Sequence, residues 1–332
     1  MAVKQKIGYA LGGGGARGLS HIGVLKALEE NHIFPDVIVG TSIGAIIGAL
    51  YAGGYKAAFI ENLALGLDWR KTMALADFSL PTGGFIQGKR VNALLQSILG
   101  DITFPQLKCI FACTTTDVIT GEEVILRDGS LIEAIRASIS LPGIFKPVVV
   151  KGRYLVDGGL LNEVPVNVCR SLGADYVIGV NVIPAPNRVI CKTKRNDVTG
   201  ACELAELNKA GFESERNLAF KMQLKKIEDA IGNIMVQQTE YRKDSLKLSG
   251  ESVKPHRRPP TLWEVVRQSL AITQYHVAIE NIKTANLAIS PEIDDIGFWQ
   301  FNRAAEAIKA GERTARIALR TSELLKSAVL TK

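Results

Sequence analysis

Residues 37–55 carry no charged side chain over nineteen positions, and this run limits the possible folds more than any other stretch of the chain. Its length alone would allow a membrane-crossing helix, for which about 18 to 20 apolar residues suffice. Its content argues otherwise. Gly40, Gly44, Gly48, Gly53 and Gly54 interrupt it, and Thr41 and Ser42 sit near its start. The β-branched triplet Val37-Ile38-Val39, a glycine-bracketed turn and the apolar residues 45–52 read as a buried strand, a sharp turn and a buried helix.

The same alternation runs through the first 180 residues. Strands are expected at 7–11, 37–39, 109–114, 123–126, 154–156 and 176–182, with a helix that sets Leu19, Ile22, Leu25 and Leu28 on one face and an amphipathic helix after Ser42. Strands alternating with helices imply a mostly parallel sheet covered on both faces. With 47% hydrophobic residues in 332, the chain can bury a core of that size. After Pro184 and Pro186 the composition changes: residues 188–258 hold 15 Lys and Arg against 10 Asp and Glu, most of the chain's net charge of +7. Helical patterning resumes at 262–282, a short strand is expected at 286–289, and a helix at 303–319. This describes a single domain over 1–332 carrying a basic insertion at about 188–258.

Gly40-Thr41-Ser42-Ile43-Gly44 lies between the expected strand and helix, where a nucleophile elbow requires it. The flanking glycines let strand and helix approach, and the serine oxygen is thrust clear of the sheet. The helix N-terminus beneath Ser42 favours developing negative charge. Gly12-Gly13-Gly14-Gly15-Ala16-Arg17-Gly18 joins the first strand to the first helix and offers backbone amides to an anion. It also fits the dinucleotide-binding pattern, but that reading needs an acidic residue at the end of the second strand. Gly40-Thr41-Ser42 stands there instead, so the loop is better read as an oxyanion hole built from Gly13, Gly14 or Gly15 with Ile43. Residues 83–89 imitate a P-loop, but Arg90 replaces the required Ser or Thr.

A nucleophilic serine needs a base. The four histidines are His21, His32, His256 and His276; the α/β-hydrolase order leaves the last two, one in a Pro-rich basic loop and one mid-helix. Asp157 ends an expected strand and precedes Gly158 and Gly159, whose missing side chains permit close approach. Combined with the elbow and the glycine loop, it is the better candidate. The five cysteines include no CxxC pair, so neither a zinc site nor a disulfide framework is indicated.

Taken in order, Gly13 to Gly18, Gly40 to Gly44, the Leu141-Pro142-Gly143-Ile144-Phe145-Lys146-Pro147 loop and Asp157-Gly158-Gly159 resemble the patatin-like phospholipase family. Asp295-Ile296-Gly297-Phe298-Trp299 and the helix after it are similar to bacterial relatives of the neuropathy target esterase catalytic domain. The resemblance implies a three-layer α/β/α fold with a mostly parallel central sheet and an inserted helical basic segment. It implies a serine acyl-ester hydrolase of phospholipase A or lysophospholipase type, a Ser42-Asp157 dyad, lipid ester substrates, and no metal or cofactor. Arg17 would bind a substrate phosphate or brace its loop; Gly18, Gly40, Gly44, Gly158 and Gly159 support the motifs. Two other readings stand beside it, a nucleotide-binding oxidoreductase and a catalytically idle lipid-binding protein.

Before the glycine loop only five apolar or small residues accompany Lys4 and Lys6, too few for an export signal, which leads to an expectation of a cytoplasmic protein peripheral to membranes. Within 188–258, Leu224, Ile227, Ile231 and Ile234 recur at helical spacing beside Lys221, Lys225 and Lys226. Such a helix packs on a core or a second subunit, or docks on an anionic bilayer. Interleaved acids and few aromatics count against nucleic acid.

Overall fold

The structure, a computed structural model, describes residues 5–66, 88–186 and 261–322. By its contacts the chain divides into two compact units, residues 1–194 with 266–332, and residues 195–265. The basic segment 188–258, its lysines, His256 and most of the P-loop imitation at 83–89 lie outside the described residues.

The first unit is built on one sheet. Its strands are β1 (Ile7–Leu11), β2 (Val37–Gly40), β3 (Ile110–Asp117), β4 (Glu123–Leu126), β5 (Val148–Val150), β6 (Arg153–Asp157), β7 (Tyr176–Val180) and β8 (Leu287–Ile289). Parallel pairings join β3, β2, β1, β7 and β8, while β4, β5 and β6 join antiparallel beyond β3. The helices are α1 (Ser20–Glu30), α2 (Ile43–Ala52), α3 (Ala57–Gly66), α4 (Lys89–Leu99), α5 (Leu131–Ser138), α6 (Val166–Ser171), α7 (Leu262–Ile282) and α8 (Ala304–Thr321).

Side-chain alternation along the strands separates two cores. Tyr9, Leu11, Ile38, Phe111 and Ile178 enter the larger one with α1, α2, α3 and α8, while Ala10, Val37, Val39, Ala112 and Val177 face α6 and the Ala278–Ile282 end of α7. Both faces of the parallel part are therefore covered, which is why its strands read as nearly continuous apolar runs. The expected three layers are present. The uncharged run 37–55 is β2, a turn and α2, and among the described residues no helix is long and apolar enough to cross a membrane.

The register of β3 brings the site together. Its first half pairs with β2, ending at Gly40 opposite Cys113, and its second half pairs with β6, ending at Asp157 opposite Thr115. Strand β4 spans both halves, from Cys113 to Thr116, so it must occupy the other edge. Strands β2 and β6 thus point at each other along one edge of β3, with Thr114 at the gap. Whatever follows β2 must meet whatever follows β6.

Helix α8 buries Ala304, Ala307, Ile308, Gly311, Ala315 and Leu319, a stripe of mostly small residues that lets it lie against α1. A Cβ added to Gly311 would collide with the carbonyl oxygen of Ser20 and lie 2.8 Å from its carbonyl carbon. Backbone cannot rotate out of the way. Ala improves helix propensity by about 1 kcal/mol over Gly, but overpacking costs typically 1–3 kcal/mol and here forces two helices apart. Gly311→Ala is therefore expected to lower the melting temperature; a rise would show that helix propensity outweighs the contact.

Candidate active site

Ser42 occupies the turn from β2 to α2 with φ 54° and ψ −122°, a backbone conformation that a residue with a side chain adopts at a cost of roughly 1–3 kcal/mol. The surroundings hold it there. A Cβ on Gly40 would lie 2.5 Å from Ala45 Cα, and one on Gly44 would strike the backbone of Leu11, so neither position admits a larger residue. The Ser42 N–H donates to Ser138 Oγ at 2.9 Å, tying the elbow to the end of α5. Thr41 Oγ1 lies 2.6 Å from Thr114 Oγ1 and donates to the Asn162 carbonyl at 2.9 Å, which closes the gap between β2 and β6.

Asp157, 1% exposed, ends β6 across that gap. Its N–H donates to the Ser140 carbonyl at 3.0 Å, and its Oδ1 accepts from the Gly159 N–H at 2.8 Å. The Ser42 hydroxyl bears on the same carboxyl group and favours its charged form. Burial pushes the Asp157 carboxyl up from its ordinary 3.8 to about 6, against the opposing pull of the Gly159 N–H and the Ser42 hydroxyl. Desolvation wins. The group remains mostly ionised at neutral pH and is a stronger base than an exposed aspartate.

The glycine loop abuts the serine: a Cβ on Gly13 would lie 3.2 Å from Ser42 Cβ. Gly14 and Gly15 have φ of 144° and 60°, which only glycine adopts readily, and so the loop can turn its peptides inward before the 3-10 turn Gly15–Leu19. The Gly13 N–H is engaged, donating to the Glu163 carbonyl at 3.3 Å. Among the described residues the N–H groups of Gly14, Gly15 and Ile43 meet no protein acceptor. Arg17 is buried and its Nε donates to the Ile296 carbonyl at 2.7 Å, while the Ala16 N–H donates to the Phe298 carbonyl at 2.9 Å. These contacts brace the loop against residues 296–298.

The three described histidines separate cleanly. His276 lies exposed on α7 with its ring edge-on to Tyr275, and His32 is exposed beyond α1. His21 is fully buried, with Nε2 2.8 Å from the Gly12 carbonyl. Burial lowers its pKa to about 4, so it is neutral and donates from Nε2, fixing the Gly12–Gly13 peptide.

Sequence reasoning did not find Ser138, Ser140, Thr114, His21 or Glu163. The first three act through contacts between elements distant in the chain, which leave no local mark. Glu163 did leave one: it is a lone carboxylate in the apolar stretch Leu160 to Val168.

Residues 9–170 match the family model of patatin-like phospholipases. This stretch is a patatin-like phospholipase domain. It is 36% identical over 177 residues to an NTE family protein of Mycobacterium tuberculosis, an alignment covering 53% of this chain and 49% of that one. Over 183 residues it is 38% identical to human patatin-like phospholipase domain-containing protein 6, covering 53% of this chain and 13% of the other. Lysophospholipase NTE1 of Scheffersomyces stipitis is 35% identical over 190 residues, covering 55% and 12%. The chain therefore spans about half or less of the length of these relatives, and the likeness supports an NTE-like patatin domain. Both glycine motifs, the elbow and Asp157 fall inside the matched region.

Proposed function

We propose that the protein is a serine hydrolase of lipid carboxylic esters, of phospholipase A or lysophospholipase type, working through Ser42, Asp157 and an acyl-enzyme. The observation that carries this reading is Ser42, held at positive φ across the β2–β6 gap from a buried aspartate whose charged form its hydroxyl favours. As Ser42 Oγ attacks the ester carbonyl, Asp157 takes its proton and then returns it to the departing alcohol. Water releases the acyl group in a second round, with Asp157 again the base. The amides of Gly14, Gly15 and Ile43, left without a protein acceptor among the described residues, would receive the oxyanion, a donor of this kind being worth roughly 3 to 4 kcal/mol in the transition state. Gly13 supports them from its bond to Glu163. The name of the fungal relative supports a lysophospholipid substrate. Purified protein should hydrolyse members of a phospholipid and lysophospholipid panel; a panel left untouched by active, folded protein would overturn the reading.

The pH dependence follows from Asp157. The base must be unprotonated, and its carboxyl is raised to about 6, so kcat/KM should fall as pH drops through about 6. A profile flat down to pH of about 5 would place the proton acceptor elsewhere.

The net charge of +7, concentrated in 188–258, supports contact with an anionic lipid surface. Each Lys or Arg near such a surface contributes on the order of 1 kcal/mol, screened within about 10 Å at 0.1 M salt. Replacing Lys221, Lys225 and Lys226 with Gln should weaken co-sedimentation with phosphatidylglycerol vesicles and leave hydrolysis of a soluble short-chain ester unchanged. Equal binding by both proteins would assign that segment to packing.

A further inference from the structure

One buried ionisable group is unused by this mechanism. Glu163 is 0% exposed and follows the turn that carries Asp157. Its N–H donates to Asn281 Oδ1 at 3.0 Å, and its carbonyl receives the Gly13 N–H. Its carboxyl group fills the room that two glycines leave. A Cβ on Gly13 would collide with Oε1, and a Cβ on Gly159 with Oε2; the latter Cβ would lie 2.9 Å from Gln274 Nε2 and 3.2 Å from Asp157 Oδ1. One side chain thus touches the glycine loop beside Ser42 and the turn beside the base.

Among the described residues neither carboxyl oxygen makes a hydrogen bond, although the Gly13 N–H lies close. The charged group that bears on it there is Asp157; on α7, Asn281, which accepts from the Glu163 backbone N–H, and Gln274, whose Nε2 flanks the space over Gly159, are neutral. Two carboxylates in one dry site cannot both ionise. Burial and the neighbouring Asp157 both push the Glu163 carboxyl well above the usual range.

We propose that Glu163 is a positioning residue that acts as an un-ionised carboxylic acid, wedged between the Gly13 loop and the Gly159 turn to hold the oxyanion donors and the base at their working separation. This rests on the hydrolase reading above. It explains why an acid tolerates such a place: un-ionised, it packs like an amide, whereas ionised it would set a second negative charge against the loop meant to receive the oxyanion.

The test compares wild type, Glu163→Ala and Glu163→Gln on a soluble short-chain ester across pH, with infrared spectra of wild type and Glu163→Gln at neutral pH. Glu163→Ala should lose about tenfold or more in kcat with little change in KM, since a displacement near 1 Å at a reacting centre can cost up to about a hundredfold. Glu163→Gln should recover most of that loss and keep the acid limb of the profile where wild type has it. Wild type should show a carboxylic-acid carbonyl band that Glu163→Gln lacks. Full activity in Glu163→Ala, an acid limb moved down by more than about half a unit in Glu163→Gln, or no such band in wild type would each overturn the proposal. Absence of ester turnover in wild type would overturn the hydrolase reading instead, and the band would still decide the state of Glu163. If Glu163→Ala does not fold, the Gln profile and the band carry the test.

Discussion

Ser42→Ala is expected to lose ester turnover by at least about a thousandfold while keeping its fold, the usual consequence of removing a nucleophile. The fold should survive because the turn is held by backbone contacts. The Ser42 N–H to Ser138 bond and the approaches at Gly40 and Gly44 involve no atom of the Ser42 side chain. Ala adopts positive φ no more readily than Ser, so stability should change little. Ser42→Gly would relieve the strain and should melt higher while being equally inactive. Residual turnover within tenfold of wild type, with the variant folded, would remove Ser42 from the mechanism.

Asp157→Asn should be nearly as inactive and yet more stable. The amide cannot take the serine proton, but its oxygen can still accept from the Gly159 N–H. In the folded state the carboxyl is raised to about 6, whereas the unfolded chain has it near its ordinary 3.8. Between those values the folded protein binds the extra proton, so stability falls as pH rises through this window. At pH 7 the cost of holding the ionised group is on the order of 3 kcal/mol, and it vanishes below about pH 4. The neutral amide escapes it. Asp157→Asn should thus melt above wild type at pH 7, with the gain shrinking as pH falls towards 4. A lower melting temperature at pH 7 would mean that the ionised carboxylate is stabilised by its surroundings, contrary to the desolvated site described here.

The sequence exposed those parts of the architecture that local chemistry marks. β1 and β4 run over the expected residues, β2 gains Gly40, and α7 spans Leu262–Ile282 as its periodicity indicates. The strand expected at 176–182 stops at Val180, and β3 continues past residue 114 to Asp117 because β4 and β6 pair with its far end. Such extension depends on partners distant in the chain. β5, three valines after Pro147, was missed for the same reason, since Val148–Val150 is a strand only because β6 pairs with it. Helices α3, α4, α5 and α6 were not singled out; α6 is six residues holding two valines, and buried tertiary contacts sustain it.

The site was legible where chemistry demands glycine or a strand end. Ser42, Asp157 and the loop at Gly12 to Gly18 each stand where a turn constrains the backbone. What could not be read was how Ser42 and Asp157 meet, because that follows from two strands converging on one edge of β3. Nor could residue type choose between the two offices of Arg17, whose Nε donates to the Ile296 carbonyl.

The most direct test of the account is intact-mass and peptide analysis after exposure to a fluorophosphonate, which reacts only with an activated serine. Wild type should take up one phosphonyl group on the peptide containing Ser42, Asp157→Asn should react far more slowly, and Ser42→Ala should stay unlabelled. Labelling of Ser42→Ala at the wild-type rate, or no adduct on folded wild type, would contradict the account.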